Sequence, residues 1–271
     1  MDLFNKQIWF QSFGSGSSGN CYFIGNQEHG ILIDAGLSAR TTRKNLKNMG
    51  LDVKNIRAIF ITHDHTDHIK GVVGLGEHFL IPVFATPQTH TGIENNYSVV
   101  RTLDRSKRFL NKEQSINIED FRITAFPVLH DSADSVGYCI EFCGKIFTFA
   151  TDLGVIGNDA AKYLQSADYI ILEANYDNEM LRNGTYTLAL QNRIRANTGH
   201  LSNEQTGVFL AENFSQKWQK IFLCHLSEEN NTKELAVQTV REWLLKNNKF
   251  KENEVEIVAL NRKSPSKLYV F

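Results

Sequence analysis

Short apolar runs rich in Ile, Val and Phe recur along the chain: QIWFQSF, NCYFIG, GILIDAG, RAIFITH, FRITAFPVLH, GYCIEFC, KIFTFATD, DYIILEAN, KIFLCHLS and EVEIVAL. Their length and composition predict strands buried on at least one face. Between them the apolar residues fall at helical spacing. Ser38 is placed to cap a helix running to about Met49, with Gly50 as its stop, because a serine oxygen satisfies the free N–H groups of a first turn and glycine tolerates the left-handed exit. The stretch from Thr232 to Lys246 carries an apolar stripe, and Ser202 followed by Gln205 predicts a capping box that opens the helix NEQTGVFLAENF. Strands and helices interleave, with hairpins as well, which predicts an α/β chain.

The ends of the runs are chemically unusual. RAIFITH ends on His63, FRITAFPVLH on His130 and KIFTFATD on Asp152; DYIILEAN carries Glu173 near its end, and KIFLCHLS reaches His225 as its hydrophobicity gives out. Ligand sites of layered α/β proteins form at that edge, where rigid strands fix the residues and the loops beyond leave room for substrate.

HDHTDH, residues 63 to 68, concentrates this chemistry. His63 and His65 are two apart, so an extended segment points both side chains to one side. Asp67 and His68 follow where the chain turns into a helix beginning near Ile69, and from there both point back over the same space. One ion takes about four ligands, with a position left open when it is catalytic. The hexapeptide with His130, Asp152 and His225 supplies seven candidates, enough for two ions that share a carboxylate. A mixed His/Asp set without thiolate suits Zn²⁺ first, with Mn²⁺ or Fe²⁺ as alternatives.

Through H-x-H-x-D-H and the downstream His, Asp and His in that order, the sequence resembles the metallo-β-lactamase-fold hydrolases over nearly its whole length. FGSGSSGNCYFIG, LIDAGLS, THDHTDHIKGV, ILEANYD and GHLSN are similar, more narrowly, to the YycJ/WalJ-like branch, whose members are regarded as nuclease-type enzymes acting on DNA. The resemblance implies a four-layer αββα sandwich, two mixed sheets flanked by helices, with the metals at one edge. It implies that His63, His65 and His130 hold one metal, that Asp67, His68 and His225 hold the second, and that Asp152 bridges. Such a centre hydrolyses phosphodiesters by attack of metal-bound hydroxide, with Asp67 in the catalytic set. It serves thioesters, lactones and β-lactams equally well, so residues outside the ligand set must choose the substrate.

His200, in NTGHLSNEQ before a helix start, is the foremost of these. The resemblance gives it contact with the scissile phosphate or protonation of the leaving oxygen, with Glu173 as its orienting partner. Gly14, Gly16 and Gly19 spell G-x-G-x-x-G, but a strand and not a helix follows, so a dinucleotide fingerprint is excluded and a tight hairpin expected. The hydroxyls of Ser15, Ser17 and Ser18, with Asn20, are expected on the cavity rim, where they meet a phosphate. Asp34 resembles an early family aspartate that supports the metal loop without ligating. Arg193 and Arg195 are the preferred backbone-neutralising residues, ahead of the strip RTLDRSKRF. His29, His78 and His90 lie outside any ligand spacing.

Composition narrows the picture further. A net charge of −1 argues against a protein that holds polyanions by bulk charge, while leaving a local basic strip open. Cys21, Cys139, Cys143 and Cys224 form no C-x-x-C pair and read as small buried hydrophobes. No linker-like composition interrupts residues 1–271, which read as one domain. MDLFNKQIWF lacks the features of a signal peptide, and no run approaches the roughly 18 apolar residues that span a bilayer, so a cytoplasmic location is expected. The expected partner is a nucleic-acid substrate, DNA favoured; no membrane or protein partner is implied. Two competing classes remain: a small-molecule hydrolase such as a thioesterase, lactonase or β-lactamase-like enzyme, and a non-catalytic metal-binding scaffold, which would have lost ligands. A processing nuclease with a long insert is disfavoured, since only 73 residues separate Asp152 from His225.

Overall fold

The computed structural model describes residues 7–248, 250–251 and 254–271. Six strands open the chain: β1 (Trp9–Gly14), β2 (Cys21–Gly25), β3 (Gly30–Ile33), β4 (Ile56–Phe60), β5 (Val83–Ala85) and β6 (Lys107–Phe109). Seven more follow: β7 (Ser115–Ile118), β8 (Phe121–Pro127), β9 (Val136–Phe142), β10 (Lys145–Ala150), β11 (Tyr169–Glu173), β12 (Lys220–Cys224) and β13 (Glu256–Ala259). A last short strand, β14 (Tyr269–Val270), returns beside β1. The two sheets run β14-β1-β2-β3-β4-β5-β6 and β13-β12-β11-β10-β9-β8-β7, each with parallel and antiparallel pairs.

Side-chain alternation explains the layering. On β3, Ile31 and Ile33 face the opposite sheet while Leu32 faces outward; on β11, Tyr169 and Ile171 face in while Ile170 and Leu172 face out. The inner faces meet in an aromatic core, where Phe10 lies 4.6 Å from Phe222 and Tyr22 lies 5.5 Å from Phe149 between ring centroids. Each such buried ring stabilises the sandwich by about 1.5–3 kcal/mol relative to exposure.

Helices cover both outer faces. Leu46 of α1 (Ala39–Asn48) and, beyond the single turn α2 (Thr66–Ile69), Val72 and Leu75 of α3 (Val72–Phe79) pack on the first sheet, followed by Ile93 of α4 (Pro87–Asn95). Leu164 of α5 (Asn158–Ser166) packs on the second sheet. After α6 (Asn178–Asn183) and α7 (Leu188–Arg195), so do Leu210 of α8 (Asn203–Glu212) and Val240 and Leu244 of α9 (Lys233–Leu244). The expected αββα arrangement is therefore present. Ser38 caps α1 through Thr41 N, and both halves of the Ser202–Gln205 capping box form at α8.

Some local expectations need correction. The helix expected near Ile69 begins at Thr66, so Asp67 and His68 lie within its turn. The strip RTLDRSKRF contains β6, and three of its four cations are engaged locally: Arg105 with Glu77, Lys107 with Glu94, and Arg108 with two backbone carbonyls. Cys143 is exposed at the β9–β10 turn, unlike the other three cysteines. Among the described residues, no helix is long and apolar enough to cross a membrane.

Candidate metal centre

The strand ends converge as their sequence suggested. Beyond β4, His63 and His65 stand with ring centroids 4.7 Å apart, and His130, three residues beyond β8, lies 4.9 Å from each. Their outer edges are fixed: His130 Nδ1 donates to Gly199 O at 3.1 Å, His65 Nε2 donates to Asp131 O at 3.2 Å, and His63 Nδ1 meets Thr62 Oγ1 at 3.0 Å. Those contacts leave His63 Nε2, His65 Nδ1 and His130 Nε2 for one another's neighbourhood, where His65 Nδ1 and His130 Nε2 are 3.3 Å apart.

A second group adjoins the first. Asp67 Oδ2 lies 3.5 Å from His68 Nε2 and 3.6 Å from His225 Nε2. Asp152 stands between the groups, with Oδ2 3.3 Å from His68 Nε2 and Oδ1 2.8 Å from His225 Nδ1 and 4.0 Å from His130 Nε2. Fully buried Asp34 accepts the His68 Nδ1 proton at 2.7 Å and takes Thr62 N on its other oxygen, so His68 turns Nε2 inward. Asp34, Asp152 and His225 all have positive φ, at 60°, 56° and 52°. Such backbone costs energy and is characteristically held at functional sites by the surrounding packing. Gly36 lets the Asp34 loop close on this segment, because a Cβ there would lie 1.6 Å from Asp67 O.

Burial disfavours charge throughout the cluster, yet opposite charges prevail at its centre. His225 and His68 hold the Asp152 carboxyl well below the usual range against burial, and Asp152, Asp34 and Asp67 raise His68 well above the ordinary histidine value. His63 moves the other way, pushed down by burial and then by the His68 charge. The buried Nε2 atoms of His63 and His225 have no hydrogen-bond partner among the described residues. Orphaned ring nitrogens flanked by carboxylates, with Nδ1 of the same rings already engaged, fit divalent cations. One candidate group is His63, His65 and His130; another is Asp67, His68 and His225; a third, His63, His68 and Asp152, joins them.

Glu173 links this cluster to His200. Its Oε1 accepts His200 Nδ1 at 2.8 Å and His225 Nδ1 at 2.9 Å, while Oε2 accepts the backbone N–H groups of Leu153 and Leu201, each at 3.1 Å. Burial opposes ionisation of this pair, but mutual attraction outweighs it, lowering the Glu173 pKa and raising that of His200. His200 is itself part-exposed in a cavity of about 190 Å³, with Ser17, His65, Asp131, Tyr186 and Arg193. Within this lining Arg193 Nε donates to Asp131 Oδ2 at 2.6 Å.

Four residues expected to meet the substrate lie elsewhere. Asn20 is fully buried under the cluster, its Nδ2 3.1 Å from Asp67 Oδ2 and 2.9 Å from His68 Nε2. Its oxygen accepts Gly16 N, so the glycine turn folds it inward. Arg195 lines a separate groove of about 530 Å³ with Ile156, Tyr176 and Phe209, since two residues along a helix rotate a side chain by about 200°. Ser18 is exposed outside the cavity lining, and Ser15, also expected there, is buried against Tyr22 and His225 N. Conversely, Asp131 and Tyr186 line the cavity without having been expected. Asp131 carried a signal, its position directly after His130; Tyr186 carried none.

Comparison with known proteins agrees with the geometry. A family described as Beta-lactamase superfamily domain matches residues 29–213. Exodeoxyribonuclease YycJ of Bacillus anthracis is 31% identical over 262 residues, covering 96% of this chain and 98% of that protein. Exodeoxyribonuclease WalJ of Streptococcus pneumoniae (strain D39 / NCTC 7466) is 33% identical over 231 residues, covering 85% and 86%. The metallo-β-lactamase-fold protein YhfI of Bacillus subtilis superposes with a TM-score of 0.69 at 13% identity, covering 98% of this chain and all of that one, a likeness of fold. The chain therefore belongs to the metallo-β-lactamase-fold hydrolases, metal-dependent enzymes of the β-lactamase superfamily, in the YycJ/WalJ-like branch.

Proposed function

We propose that this protein is a dinuclear metal-dependent phosphodiesterase that acts on DNA as an exonuclease. The observation that carries the reading is the His200–Glu173–His225 linkage, which ties a cavity-facing imidazole to the candidate metal cluster through one buried carboxylate. In this reading His63, His65 and His130 would hold one ion and Asp67, His68 and His225 the other, with Asp152, which stands between the two groups, as a shared ligand. The nitrogen and oxygen donors, without thiolate, favour Zn²⁺, ahead of Mn²⁺ or Fe²⁺. Two bound divalent ions would lower the pKa of a water to near neutrality and neutralise phosphate charge.

The residues of the chain supply the rest. Glu173 fixes the His200 ring by its Nδ1 proton, so that the opposite edge serves the cavity, donating to the leaving oxygen or to a phosphate oxygen. Arg193 and the Ser17 hydroxyl, both in the cavity lining, receive non-bridging phosphate oxygens. Asn20 supports Asp67 and His68 from below, and Asp34 fixes the His68 ring. The names of the YycJ and WalJ relatives support DNA as the substrate. The test is a panel of duplex DNA, single-stranded DNA and RNA, each labelled at either end. Stepwise shortening of DNA supports the reading, and intact nucleic acid under all metal conditions overturns it.

A further inference from the structure

Helix α1 has an unusual solvent face. Arg40, Arg43, Lys44 and Lys47 stand at i, i+3, i+4 and i+7, and all four are exposed, while Thr42, Asn45 and Leu46 turn toward the core. The helix ARTTRKNLKN contains no acidic residue. Among the described residues none of the four is ion-paired, and the one recorded engagement is Arg43 stacked over the Phe79 ring at 5.0 Å. Several cations elsewhere are ion-paired, Arg57 with Glu119, Lys112 with Asp134, Lys220 with Glu256 and Lys263 with Glu228, whereas here four unpaired cations share one helix face. In a chain with 29 basic and 30 acidic residues, this stripe is a local excess.

Intrinsic stability does not explain it. Like charges at i,i+3 and i,i+4 repel, and cations in the first half of a helix oppose its dipole. The helix also begins beside the metal cluster: Ala35 N donates to His68 O at 2.8 Å, Gly36 N to Asn20 O at 2.8 Å, and Asn20 N to Asp67 O at 2.7 Å. Because α1 connects β3 to the parallel strand β4, it starts at the edge carrying the cluster and leads away from it. The stripe is roughly 10 Å long, a distance over which a nucleic-acid duplex presents about six phosphate charges.

Resting on the phosphodiesterase reading, we propose that Arg40, Arg43, Lys44 and Lys47 bind the phosphate backbone of a nucleic-acid substrate beyond the scissile bond. They form a sequence-independent track that gives long substrates an advantage over short ones. A small phosphodiester occupies only the cavity and gains nothing from the stripe.

The test compares the wild type with a variant carrying Arg40→Gln, Arg43→Gln, Lys44→Gln and Lys47→Gln, substitutions that retain helix propensity. A charge-preserving control carries Arg40→Lys and Arg43→Lys. Binding of a labelled 30-base-pair duplex is measured across a salt series, alongside its hydrolysis, hydrolysis of bis(p-nitrophenyl) phosphate, metal content and melting temperature. Neutralisation is expected to raise KM for the duplex at least about tenfold at 0.1 M salt and to reduce the slope of log K against log salt by about 3. Small-diester turnover and metal content should be unchanged, melting should be unchanged or raised because the like-charge repulsion is relieved, and the control should keep the wild-type slope. An unchanged slope and duplex KM, with a wild type that cleaves DNA, overturn the track and leave the phosphodiesterase reading standing. Parallel loss on the small diester overturns it as well, as does loss of binding to phosphatidylserine vesicles in place of DNA. A wild type that neither binds nor cleaves nucleic acid removes both readings.

Discussion

His200 donates its Nδ1 proton to Glu173 Oε1 across 2.8 Å, and Glu173 is held in turn by the backbone N–H groups of Leu153 and Leu201. The carboxylate thus restricts the tautomer and tilt of His200. His200→Ala is expected to keep the wild-type metal content, measured by mass spectrometry, and to lower kcat by about 10²- to 10⁴-fold. Loss of metal together with activity would show that His200 is a ligand.

Asp34 acts through His68. Its Oδ2 takes the Nδ1 proton at 2.7 Å, and its Oδ1 holds Thr62 N. Asp34→Asn keeps an acceptor for Thr62 but weakens the hold on His68, so metal affinity measured by chelator competition should fall about 10- to 100-fold. An unchanged affinity would reduce Asp34 to a packing role.

Arg193 lines the cavity and donates to Asp131, another lining residue. Removal of a charge-assisted phosphate contact should raise KM about 10- to 100-fold in Arg193→Ala, with kcat changed much less. Arg195→Ala, which alters the neighbouring groove, should leave KM for a short oligonucleotide near the wild-type value. Equal effects of the two changes would contradict this separation.

A pH effect is expected away from the cluster. Glu77 accepts the Ser106 hydroxyl at 2.6 Å and the Ser106 and Arg105 N–H groups, which together lower its pKa from the ordinary 4.5 to about 2. A depressed folded-state pKa stabilises the fold above the unfolded value and loses that contribution as pH falls through the folded value. The melting difference between wild type and Glu77→Gln should therefore be full at pH 6 and close progressively between about pH 4.5 and pH 2. A difference independent of pH would assign the effect to packing.

The parts of the fold legible from the sequence are those where burial dictates side chains. Ile31 and Phe147 lie in runs whose hydrophobicity follows from facing the inter-sheet core, and Ser38 and Ser202 announce helix starts by satisfying backbone donors. Strands β5, β6 and β14 carried no such pattern, since two or three residues at or near a sheet edge pair through their backbone whatever their side chains. Within the site, His63, His65 and His130 were expected together and stand together. Asn20 is expected on the rim with the adjoining Gly/Ser stretch, whereas the turn from Gly16 folds its amide against Asp67. Tyr186 reaches the cavity from the segment before α7, a placement set by tertiary packing that no local spacing records.

Metal analysis of the purified protein combined with a substrate panel addresses the dinuclear phosphodiesterase most directly. The panel holds end-labelled duplex and single-stranded DNA, RNA, bis(p-nitrophenyl) phosphate, a thioester and a β-lactam. The predicted result is about two divalent ions per chain, with metal-dependent shortening of DNA that chelation abolishes and Zn²⁺ or Mn²⁺ restores. Turnover of the thioester or β-lactam with DNA left intact under the same metal conditions would contradict it.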